Sequence, residues 1–572
     1  MYTTSTAFLE ALTEAGISHI FANFGSDHPA LLEAIAEARA SGRPIPTVMT
    51  APNEMVGMCA AHGFAQVSGK PQLVLVHVEC GTQSLAGAVH NAARARVPML
   101  VFAGASPFTQ DGELTGSRNE FIHWLQDVHD QRGIVRGYMK YDAEIRTGRN
   151  VKQMVHRALQ FATSAPKGPT YLMGAREVME EELAASVTID PKQWKPVDPG
   201  ALTAKAIARI LDGIDKAERP LLVTSFAGRN PNAVGELVRF CERLGIGVQE
   251  SAPSALNIPH DHPLYLGNQW NEPHQNKALA EADFVLVVDS DVPWIPTINR
   301  PAEGAPIVHI DVDPLKEAMP LWYIGAEESV RADAETALAQ LNAALDARAI
   351  DAKKVAARTA HYSAQSKARR AALAEKETRS EGLITPEFLT ATVRKHIDPE
   401  ETIVLSEGIT NYTVIANHMR MTAPGSYFAS GGSSLGWSGG AAIGSKLAAP
   451  EKTVVALTGD GSYMFSIPST VHWMAAKYET PFLQVVYNNR GWKAPRFSAL
   501  AVHPEGYASK ANDLDLSFEP SPAYADIAAA AGGAFARKVD RPEDLDAAVK
   551  EALHVVQTEK RCAVLDVWLS PV

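Results

Sequence analysis

The feature that most constrains the fold is a pattern that recurs in three blocks along the chain. Short apolar runs rich in β-branched residues alternate with glycine-containing turns and amphipathic helical stretches. Such alternation predicts βαβ units, and therefore parallel sheets covered by helices on both faces. The expected fold class is α/β, with three doubly wound parallel-sheet domains.

Each block contains several strand candidates. They are SHIFANF, PTVMTA, QLVLVHV, PMLVFAG and PTYLMG in the first, PLLVTS, IGVQES, DFVLVVDS and PIVHIDVDP in the second, and TIVLSEG, TVVALTGDG, FLQVVYNN and AVLDVWL in the third. These runs predict domains at residues 1–185, 195–345 and 380–572. A proline-containing stretch separates the first two domains, and a segment rich in Ala, Lys and Arg at residues 346–379 predicts a solvated linker helix. The first and third blocks are candidates for two copies of one architecture.

The charge, the apolar runs and the cysteines of the chain argue against several classes of function. The 53 basic and 65 acidic residues give a net charge of −12, which opposes binding to nucleic acid or to an anionic membrane, so we expect neither partner. No uninterrupted apolar run is long enough to predict a membrane span, and the amino terminus lacks the basic and apolar regions of a secretion signal. The four scattered cysteines, without a CxxC pair, predict reduced thiols in a cytoplasmic protein.

Polar residues follow two neighbouring strand candidates of the third block. One run closes on Gly459, Asp460, Gly461 and Ser462, and the next on Asn488 and Asn489. Because ligands bind outside the carboxyl ends of parallel strands, a carboxylate and an amide there can meet on one cation. Mg²⁺ prefers such oxygen ligands, and helix-start amides such as those of Gly461 and Ser462 can hold phosphate oxygens. A GDG triplet alone is an ordinary turn, but the asparagine pair that follows makes a metal site the better interpretation.

These residues resemble the thiamine diphosphate motif of the family that includes pyruvate decarboxylase, benzoylformate decarboxylase, acetohydroxyacid synthase and oxalyl-CoA decarboxylase. The resemblance covers nearly the whole chain and implies thiamine diphosphate and Mg²⁺ as cofactors. It implies that Asp460, the Asn489 side chain and the Gly491 carbonyl hold Mg²⁺, with Gly459, Gly461 and Ser462 near the diphosphate. The spacing from aspartate to asparagine is slightly longer than in these relatives, so Asn488 is the alternative ligand.

A second segment, YFASGGSSLGWSGG, is similar to the glycine-rich stretch that precedes this motif in the family. The resemblance implies that Ser433 and Leu435 contact the cofactor. Leu435 stands where the family has a bulky residue that holds the cofactor in a bent shape. Taken alone, the segment could instead be a glycine-rich helix-packing stretch.

Three segments of the first block resemble catalytic segments of the same family. TAPNEMVGMCAAHGFAQ is similar to the segment with the cofactor-activating glutamate, which maps onto Glu54. NFGSDHPALL and VHVECGTQSL resemble benzoylformate decarboxylase and carry Ser26 to a substrate-contacting position and His77 to a catalytic one. HWLQDVHDQRG resembles a segment of acetohydroxyacid synthase in which a glutamine faces the substrate, here Gln126. Taken singly, these residues could equally be a helix-terminal charge, a helix cap, a core histidine and part of a surface loop.

The resemblance implies an enzyme that decarboxylates 2-oxo acids or ligates carbonyl compounds as acetolactate synthase does. It also implies a homodimer or homotetramer with active sites between subunits. Two alternatives stay open: a lyase of coenzyme A thioesters similar to 2-hydroxyacyl-CoA lyase or oxalyl-CoA decarboxylase, with Lys493 and Arg496 meeting the CoA phosphates, and a catalytically silent scaffold of the same fold. FAD or ADP in the middle block stays an open alternative, but that block has no GxGxxG sequence, so we do not include FAD among the expected cofactors. Residues 289–297 also lack the histidine that benzoylformate decarboxylase has there, so we expect ligation to compete with aldehyde release.

Overall fold

The computed structural model describes residues 2–184, 188–511 and 513–571. These residues form three six-stranded sheets in which every strand pair is parallel. Helices cover the sheets, so the predicted α/β class with three doubly wound sheets is confirmed. The predicted domain boundary at residue 185, like the chain ends at 1 and 572, lies outside the described residues. In the described part of the chain, no helix has the length and apolarity needed to span a membrane.

The first sheet lies within residues 19–175. Its part of the chain contains, in order, α1 (Thr4–Glu14), β1 (His19–Ala22), α2 (Pro29–Ser41), β2 (Thr47–Thr50), α3 (Glu54–Ser68), β3 (Leu73–Val76), α4 (Val78–Arg94), β4 (Met99–Ala105), α5 (Ile122–Leu125), β5 (Tyr141–Ile145), α6 (Val151–Thr163), β6 (Pro169–Ala175) and α7 (Arg176–Met179). The strand order is β2-β1-β3-β4-β6-β5. The carboxyl ends of β2, β1 and β3 are therefore neighbours.

The second sheet lies within residues 220–331. Its part of the chain contains α8 (Ala204–Lys216), β7 (Pro220–Thr224), α9 (Pro231–Leu244), β8 (Gly247–Ser251), β9 (Tyr265–Gln269), α10 (Lys277–Glu281), β10 (Phe284–Val288), β11 (Ile307–Asp311), β12 (Glu328–Arg331), α11 (Ala334–Leu345) and α12 (Ala352–Lys376). The order β12-β11-β10-β7-β8-β9 is that of a Rossmann-type sheet, with its switch point between β7 and β10.

The third sheet lies within residues 402–568. Its part of the chain contains α13 (Pro386–Lys395), β13 (Thr402–Glu407), α14 (Tyr412–Met419), β14 (Tyr427–Ala429), α15 (Trp437–Ala448), β15 (Thr453–Gly459), α16 (Asp460–Phe465), α17 (Pro468–Lys477), β16 (Leu483–Asn488), α18 (Lys493–Val502), α19 (Tyr507–Lys510), α20 (Tyr524–Gly532), β17 (Phe535–Val539), α21 (Pro542–His554) and β18 (Ala563–Trp568). The order β14-β13-β15-β16-β18-β17 repeats, strand for strand, that of the first sheet.

The helix α12 falls within the predicted linker but is not simply solvated. Arg358 is buried, and its guanidinium donates hydrogen bonds to the carbonyls of Leu244 at 3.0 Å and Ile214 at 2.7 Å. The hydroxyl of the buried Tyr362 donates to the Pro220 carbonyl at 2.9 Å. The helix is therefore docked on the second sheet, because its arginine satisfies carbonyls that end neighbouring helices.

The helices α3 and α15 hold the first and third sheets together. A Cβ atom added to Gly63 would lie 2.2 Å from the Ala441 carbonyl oxygen, and one added to Gly444 would lie 1.8 Å from the Ala60 carbonyl oxygen. Only glycine permits backbones to approach this closely. Since α3 begins at Glu54 and α15 follows Leu435, this contact brings two predicted site segments close together in one chain.

Candidate active site

The carboxyl edge of the third sheet carries the predicted metal ligands. Asp460 is buried directly after β15, and its Oδ1 accepts a hydrogen bond from the Gly461 amide at 2.8 Å. Its Oδ2 accepts one from the Gly491 amide at 3.1 Å, which brings the segment after β16 against the aspartate. Burial raises the pKa of Asp460 to about 6, against the opposing effect of these amides. The site thus holds a buried carboxylate without an ion-pair partner among the described residues.

The two asparagines that follow β16 differ in their partners. Asn488 donates to Asp566 Oδ1 at 2.8 Å and to Ser521 Oγ at 3.2 Å, and its Oδ1 accepts from the Arg490 amide at 3.0 Å. Asn489 is also buried, but its Oδ1 has no hydrogen-bond partner within the described residues. A buried oxygen left without a partner is costly, which favours Asn489 over Asn488 as the ligand.

These donors fit the chemistry of Mg²⁺. No group of three or more His, Cys, Asp or Glu side chains in the described part of the chain could hold a metal ion. One carboxylate, one amide oxygen and one backbone carbonyl, with the shell completed by phosphate, is instead the set of oxygen ligands that Mg²⁺ accepts. Asp460, Asn489 and Gly491 together offer such a set.

The neighbouring glycines have different surroundings. A Cβ atom on Gly461 would lie 2.2 Å from the Trp492 ring, so glycine is needed there for the ring to cover the turn. A Cβ atom on Gly459 would meet nothing within 4 Å, and this open side leaves room for a ligand. Ser462 is buried in the first turn of α16.

The predicted cofactor-contacting stretch is held by the first part of the chain. The Ser433 amide donates to His90 Nε2 at 3.2 Å, and the Ser433 hydroxyl lies 3.0 Å from the same nitrogen. Burial, followed by the charge of Arg94, lowers the pKa of His90, in keeping with a neutral ring that accepts this bond. Leu435 is half-buried two residues later.

Glu54 lies buried at the start of α3. The preceding Asn53 caps the helix by accepting a hydrogen bond from the Val56 amide at 3.2 Å. The Glu54 Oε1 atom accepts a hydrogen bond from Asn23 Nδ2 at 2.8 Å. A Cβ atom on Gly81 would lie 2.7 Å from the same oxygen, so the carboxylate occupies space that only a glycine leaves free. The resulting carboxylate is oriented but keeps Oε2 available.

His77 is paired with an aspartate that the sequence analysis missed. Its Nδ1 lies 2.6 Å from Asp27 Oδ1, and this hydrogen bond raises the pKa of His77 against the opposing effect of burial. Burial would raise the pKa of Asp27, but the His28 and His77 rings and the Val78 amide hold it below its ordinary value. Asp27 follows β1 closely in the sequence, and this strand-end position is the signal that could have identified it.

The backbone beside His77 is strained. Val78 has a φ of 35°, a left-handed value that a β-branched residue rarely adopts. Its amide donates to Asp27 Oδ2 at 3.0 Å, so the same aspartate holds both the histidine and the strained residue. Strain of this kind persists where the surrounding structure enforces it, commonly at functional sites.

Ser26 and Gln126 carry polar atoms without partners. The Ser26 hydroxyl oxygen is buried and makes no hydrogen bond within the described residues. Gln126 ends α5 and is buried, and neither atom of its amide group has a partner in the same part of the chain. Unsatisfied buried polar groups cost free energy, and both residues are therefore available to a ligand.

The predicted residues form two groups within one chain. Ser26, Glu54 and His77 gather at the ends of β1, β2 and β3, whereas the predicted metal ligands gather at the ends of β15 and β16. Among the described residues, no hydrogen bond or ion pair joins Glu54 or His77 to Asp460. We call these two groups the half-sites; within the described residues, the Gln126 side chain makes no hydrogen bond to either.

Ion pairs between the chain's own side chains line the carboxyl edge of the second sheet. Arg96, just beyond α4, lies 3.0 Å from Asp311 and 3.0 Å from Asp291. It lies 3.4 Å from Asp289, to which Arg229 also binds at 2.6 Å. Doubly wound sheets bind ligands at this edge, and here Arg96, Arg229 and Asp289 line a cavity between the first and second parts of the chain.

Comparison with known proteins shows the class of protein to which this fold and site belong, the thiamine pyrophosphate enzymes. Models of the thiamine pyrophosphate enzyme match in chain order: the N-terminal TPP binding domain at residues 2–134, the central domain at 207–341 and the C-terminal TPP binding domain at 408–567. The chain belongs to this family, which includes 2-oxo acid decarboxylases and carboligases. The resemblance predicted from the sequence is thereby confirmed.

Individual relatives are distant but match over most of the chain. The chain is 27% identical to benzoylformate decarboxylase of Pseudomonas aeruginosa, with 87% of this chain and 88% of that protein aligned. It is 25% identical to sulfoacetaldehyde acetyltransferase of Castellaniella defragrans, over 99% and 93% of the two chains. The solved structure of the thiamine diphosphate-dependent 4-hydroxybenzoylformate decarboxylase of Rhodococcus jostii RHA1 superposes with a TM-score of 0.78 at 21% identity, covering 100% of this chain and 99% of that one.

Proposed function

We propose that the protein is a Mg²⁺-dependent thiamine diphosphate enzyme that acts on 2-oxo acids, both by decarboxylation and by carboligation of the acyloin or acetolactate type. The observation that carries the proposal is the pairing of Asp460 with Gly491 beside the unpartnered oxygen of Asn489. These three residues would hold Mg²⁺, with the diphosphate completing the shell.

The remaining residues are assigned by their contacts. When bound, the cofactor supplies the nucleophilic carbon and the electron sink. Glu54, oriented by Asn23, would exchange a proton with the pyrimidine ring, and Leu435 and Ser433 would contact the cofactor. His77, whose pKa is raised by the hydrogen bond to Asp27, would act on the reacting carbon of the substrate.

Substrate binding is assigned to Ser26 and Gln126, whose side chains carry buried polar atoms without hydrogen-bond partners among the described residues. Ser26 precedes Asp27 and follows Gly25, against which the His77 ring packs. The Ser26 hydroxyl and the Gln126 amide group can each bind an oxygen of a 2-oxo acid or of a second carbonyl compound.

We infer that ligation competes with release of a free aldehyde. Release requires rapid protonation of the reacting carbon, and His77 is the one histidine assigned to that position. The second-sheet residues Asp289 and Asp291 are tied to Arg96 and are poor proton donors in that state. A slow protonation gives a second carbonyl compound time to react.

The test is a panel of 2-oxo acids supplied with thiamine diphosphate, with and without Mg²⁺ and an aldehyde acceptor, with products identified by mass spectrometry. We expect Mg²⁺-dependent loss of CO₂ and ligated products when the acceptor is present. Turnover of acyl-CoA thioesters but of no 2-oxo acid would contradict the proposal, and so would an absence of any turnover. Near-complete conversion to free aldehyde with the acceptor present would contradict the ligation component alone.

We also infer that two copies of the chain complete each active site, as a homodimer or homotetramer. The loop from β4 to β5 carries large exposed apolar side chains, namely Phe108, Leu114, Phe121, Trp124, Leu125 and Val128. Exposed apolar residues also lie on α16 and α18 beside the predicted metal site, including Phe465 and Phe497. Clusters of this kind mark interaction surfaces, and their positions beside the two half-sites favour pairing of the first part of one copy with the third part of another.

Subunit mixing tests this assembly. Glu54→Gln and Asp460→Ala copies are each expected to be inactive, and a mixed dimer would contain one site with neither substitution. Recovery of activity after verified subunit exchange supports a shared site, whereas no recovery would favour a site within one chain.

Two further assignments complete the proposal. We infer domains at residues 1–185, 195–345 and 380–572, joined by residues 346–379, because each sheet lies inside one of the three ranges. Cys59, Cys80, Cys241 and Cys562 are free thiols, which supports the proposal that the protein works in the reducing cytoplasm.

A further inference from the structure

A buried carboxylate beside the predicted cofactor site has no role in the scheme above. Glu407 is the last residue of β13, the strand that pairs with β15, and its side chain is 0% exposed. Within the described residues it forms no ion pair, so no cation compensates its charge. An ionised carboxylate in such a place is costly unless other groups stabilise it.

Three backbone amides stabilise this carboxylate. The Glu407 Oε1 atom accepts hydrogen bonds from the amides of Gly436 at 2.6 Å and Trp437 at 2.9 Å, and Oε2 accepts one from Ser438 at 2.7 Å. These amides begin α15, a helix of 12 residues that has no side-chain cap from its own N-cap residue. Glu407 therefore caps α15 from a different strand, where the helix dipole favours a negative charge.

The turn that Glu407 caps begins at the residue after Leu435. Gly436 has a φ of 92°, and a Cβ atom there would lie 2.6 Å from the backbone of Phe465 and 2.7 Å from Met55 Cε. The turn is thus confined between α16, which begins at Asp460, and the residue that follows Glu54. A shift of the Gly436 amide would move the Leu435 side chain with it.

The carboxylate has two further titratable neighbours, Cys59 on α3 and Tyr412 at the start of α14. Burial raises the pKa of both, so neither supplies a charge near neutral pH. Burial raises the pKa of Glu407 to about 7, although the three amides oppose the shift. A neutral side chain would be easier to bury, so the presence of a carboxylate here calls for a specific explanation.

We propose that Glu407 is a positioning residue, which holds the turn at residues 436–438 so that Leu435 stands where it supports the bound cofactor. This inference rests on the proposed function, in which Leu435 contacts thiamine diphosphate. It gives a structural role to the buried Glu407 carboxylate, which takes no part in the chemical steps.

The test is a double-mutant cycle on cofactor affinity. Thiamine diphosphate binding is measured by calorimetry, with Mg²⁺ present, for the wild type, Glu407→Gln, Leu435→Ala and the double variant. The glutamine keeps the size of the side chain but puts an amide N–H group against a backbone donor. Glu401→Gln is the matched control, because Glu401 lies just before β13 and its side chain is 62% exposed.

We expect Glu407→Gln to weaken cofactor binding by about tenfold, the effect of losing a charge-assisted hydrogen bond. In the Leu435→Ala background the same change should weaken binding by less than about twofold, because residues that act through one another are not additive. The control should bind as the wild type does. Additive effects, or unchanged binding in Glu407→Gln, would overturn the inference but leave the proposed function standing.

Two further measurements keep the inference testable. If Glu407→Gln does not fold, Glu407→Asp is used, whose shorter carboxylate reaches fewer of the amides and should give the same non-additivity. In the wild type, affinity should fall as the pH drops through about 7 and Glu407 gains a proton. The ratio of wild-type to Glu407→Gln affinity should then approach one at low pH. Because Asp460 is present in both proteins, its own titration does not change this ratio. A ratio independent of pH would overturn the inference, and a wild type that binds no cofactor would overturn the proposed function as well.

Discussion

The first and third sheets have the same strand order but carry different chemistry at their carboxyl edges. Glu54 follows β2, the second strand of the first sheet along the chain, and Leu435 follows β14, the corresponding strand of the third sheet. His77 follows β3 in the first sheet, and Asp460 follows the corresponding strand β15 in the third sheet. The helices α3 and α15, which follow β2 and β14, pack on each other at Gly63 and Gly444.

The two sheets differ in the partners of the polar side chains at their carboxyl edges. His77 and Glu54 are held by side-chain partners, Asp27 and Asn23, and such pairs suit the movement of protons. In the third sheet, the hydrogen bonds that Asp460 accepts from the described residues come from backbone amides, and Asn489 Oδ1 has no partner among those residues, which suits a cation and a phosphate. Under the proposed function, one architecture would thus serve two tasks because the strand-end residues differ.

The largest expected effect comes from removing the carboxylate of the third sheet. Asp460→Ala should lose Mg²⁺ and thiamine diphosphate binding together, and turnover should fall by about 10³-fold or more because the metal positions the cofactor. Calorimetry with each ligand, beside Asp540→Ala as an exposed control, measures this. Unchanged cofactor affinity in Asp460→Ala would disprove the metal assignment.

Removing the carboxylate of the first sheet should act on turnover and not on binding. Glu54→Gln retains the hydrogen bond from Asn23 but cannot exchange a proton, so turnover should fall by about 10²-fold. Deuterium exchange at the reactive carbon of the bound cofactor should slow in parallel, while the exposed control Glu33→Gln leaves both unchanged. A normal exchange rate would exclude Glu54 from activation and weaken the contrast between the two sheets.

The two asparagines after β16 give a reciprocal test. Asn489→Ala should weaken Mg²⁺ binding by about 30-fold with little change in the free energy of unfolding, since its oxygen has no partner within the described residues. Asn488→Ala should keep its metal affinity but lower the free energy of unfolding by about 1–3 kcal/mol, because the bond to Asp566 is lost. The opposite pattern, by metal titration and thermal unfolding, would make Asn488 the ligand.

The sequence predicted the central strands of each sheet but only one of the six edge strands, β2. Five strands were absent from the prediction, and all are edge strands: β5, β9, β12, β14 and β17. An edge strand is exposed along one side, so its sequence is less uniformly apolar, as the half-exposed β12 shows. The search for apolar runs therefore finds the central strands and, of the edge strands, only β2.

For the candidate site, the sequence identified residues through motifs but not their partners. Asp27, Asn23 and His90 touch predicted site residues, yet each is an ordinary strand-end or helix residue in the sequence. Glu407 was likewise hidden, because it contacts backbone amides that lie about one βαβ unit further along. Contacts between distant segments depend on how the sheets are placed, which no local pattern encodes.

The smallest expected effect concerns the pair formed by Asp27 and His77. Asp27→Asn removes the negative charge and leaves a single acceptor oxygen, which can serve the Val78 amide or the His77 ring but not both. The pKa of His77 should then fall, because the bond to Asp27 is what raises it and burial lowers it. Asp130→Asn, whose side chain is 54% exposed in the wild type, is the matched control.

The sign of the pH effect follows from that change. In the wild type, the raised pKa keeps His77 charged to a higher pH, so its contribution to stability is complete below the ordinary histidine pKa and is lost as the pH rises through the raised value. In Asp27→Asn, the basic limb of the pH profile for turnover should move to lower pH. A decrease of one pKa unit reduces the protonated fraction well above the pKa by about tenfold, and turnover there should fall to match. If the profile kept its position while turnover fell at every pH, Asp27 would hold the strained Val78 turn without tuning His77, and the proton-handling role of the first sheet would then rest on Glu54.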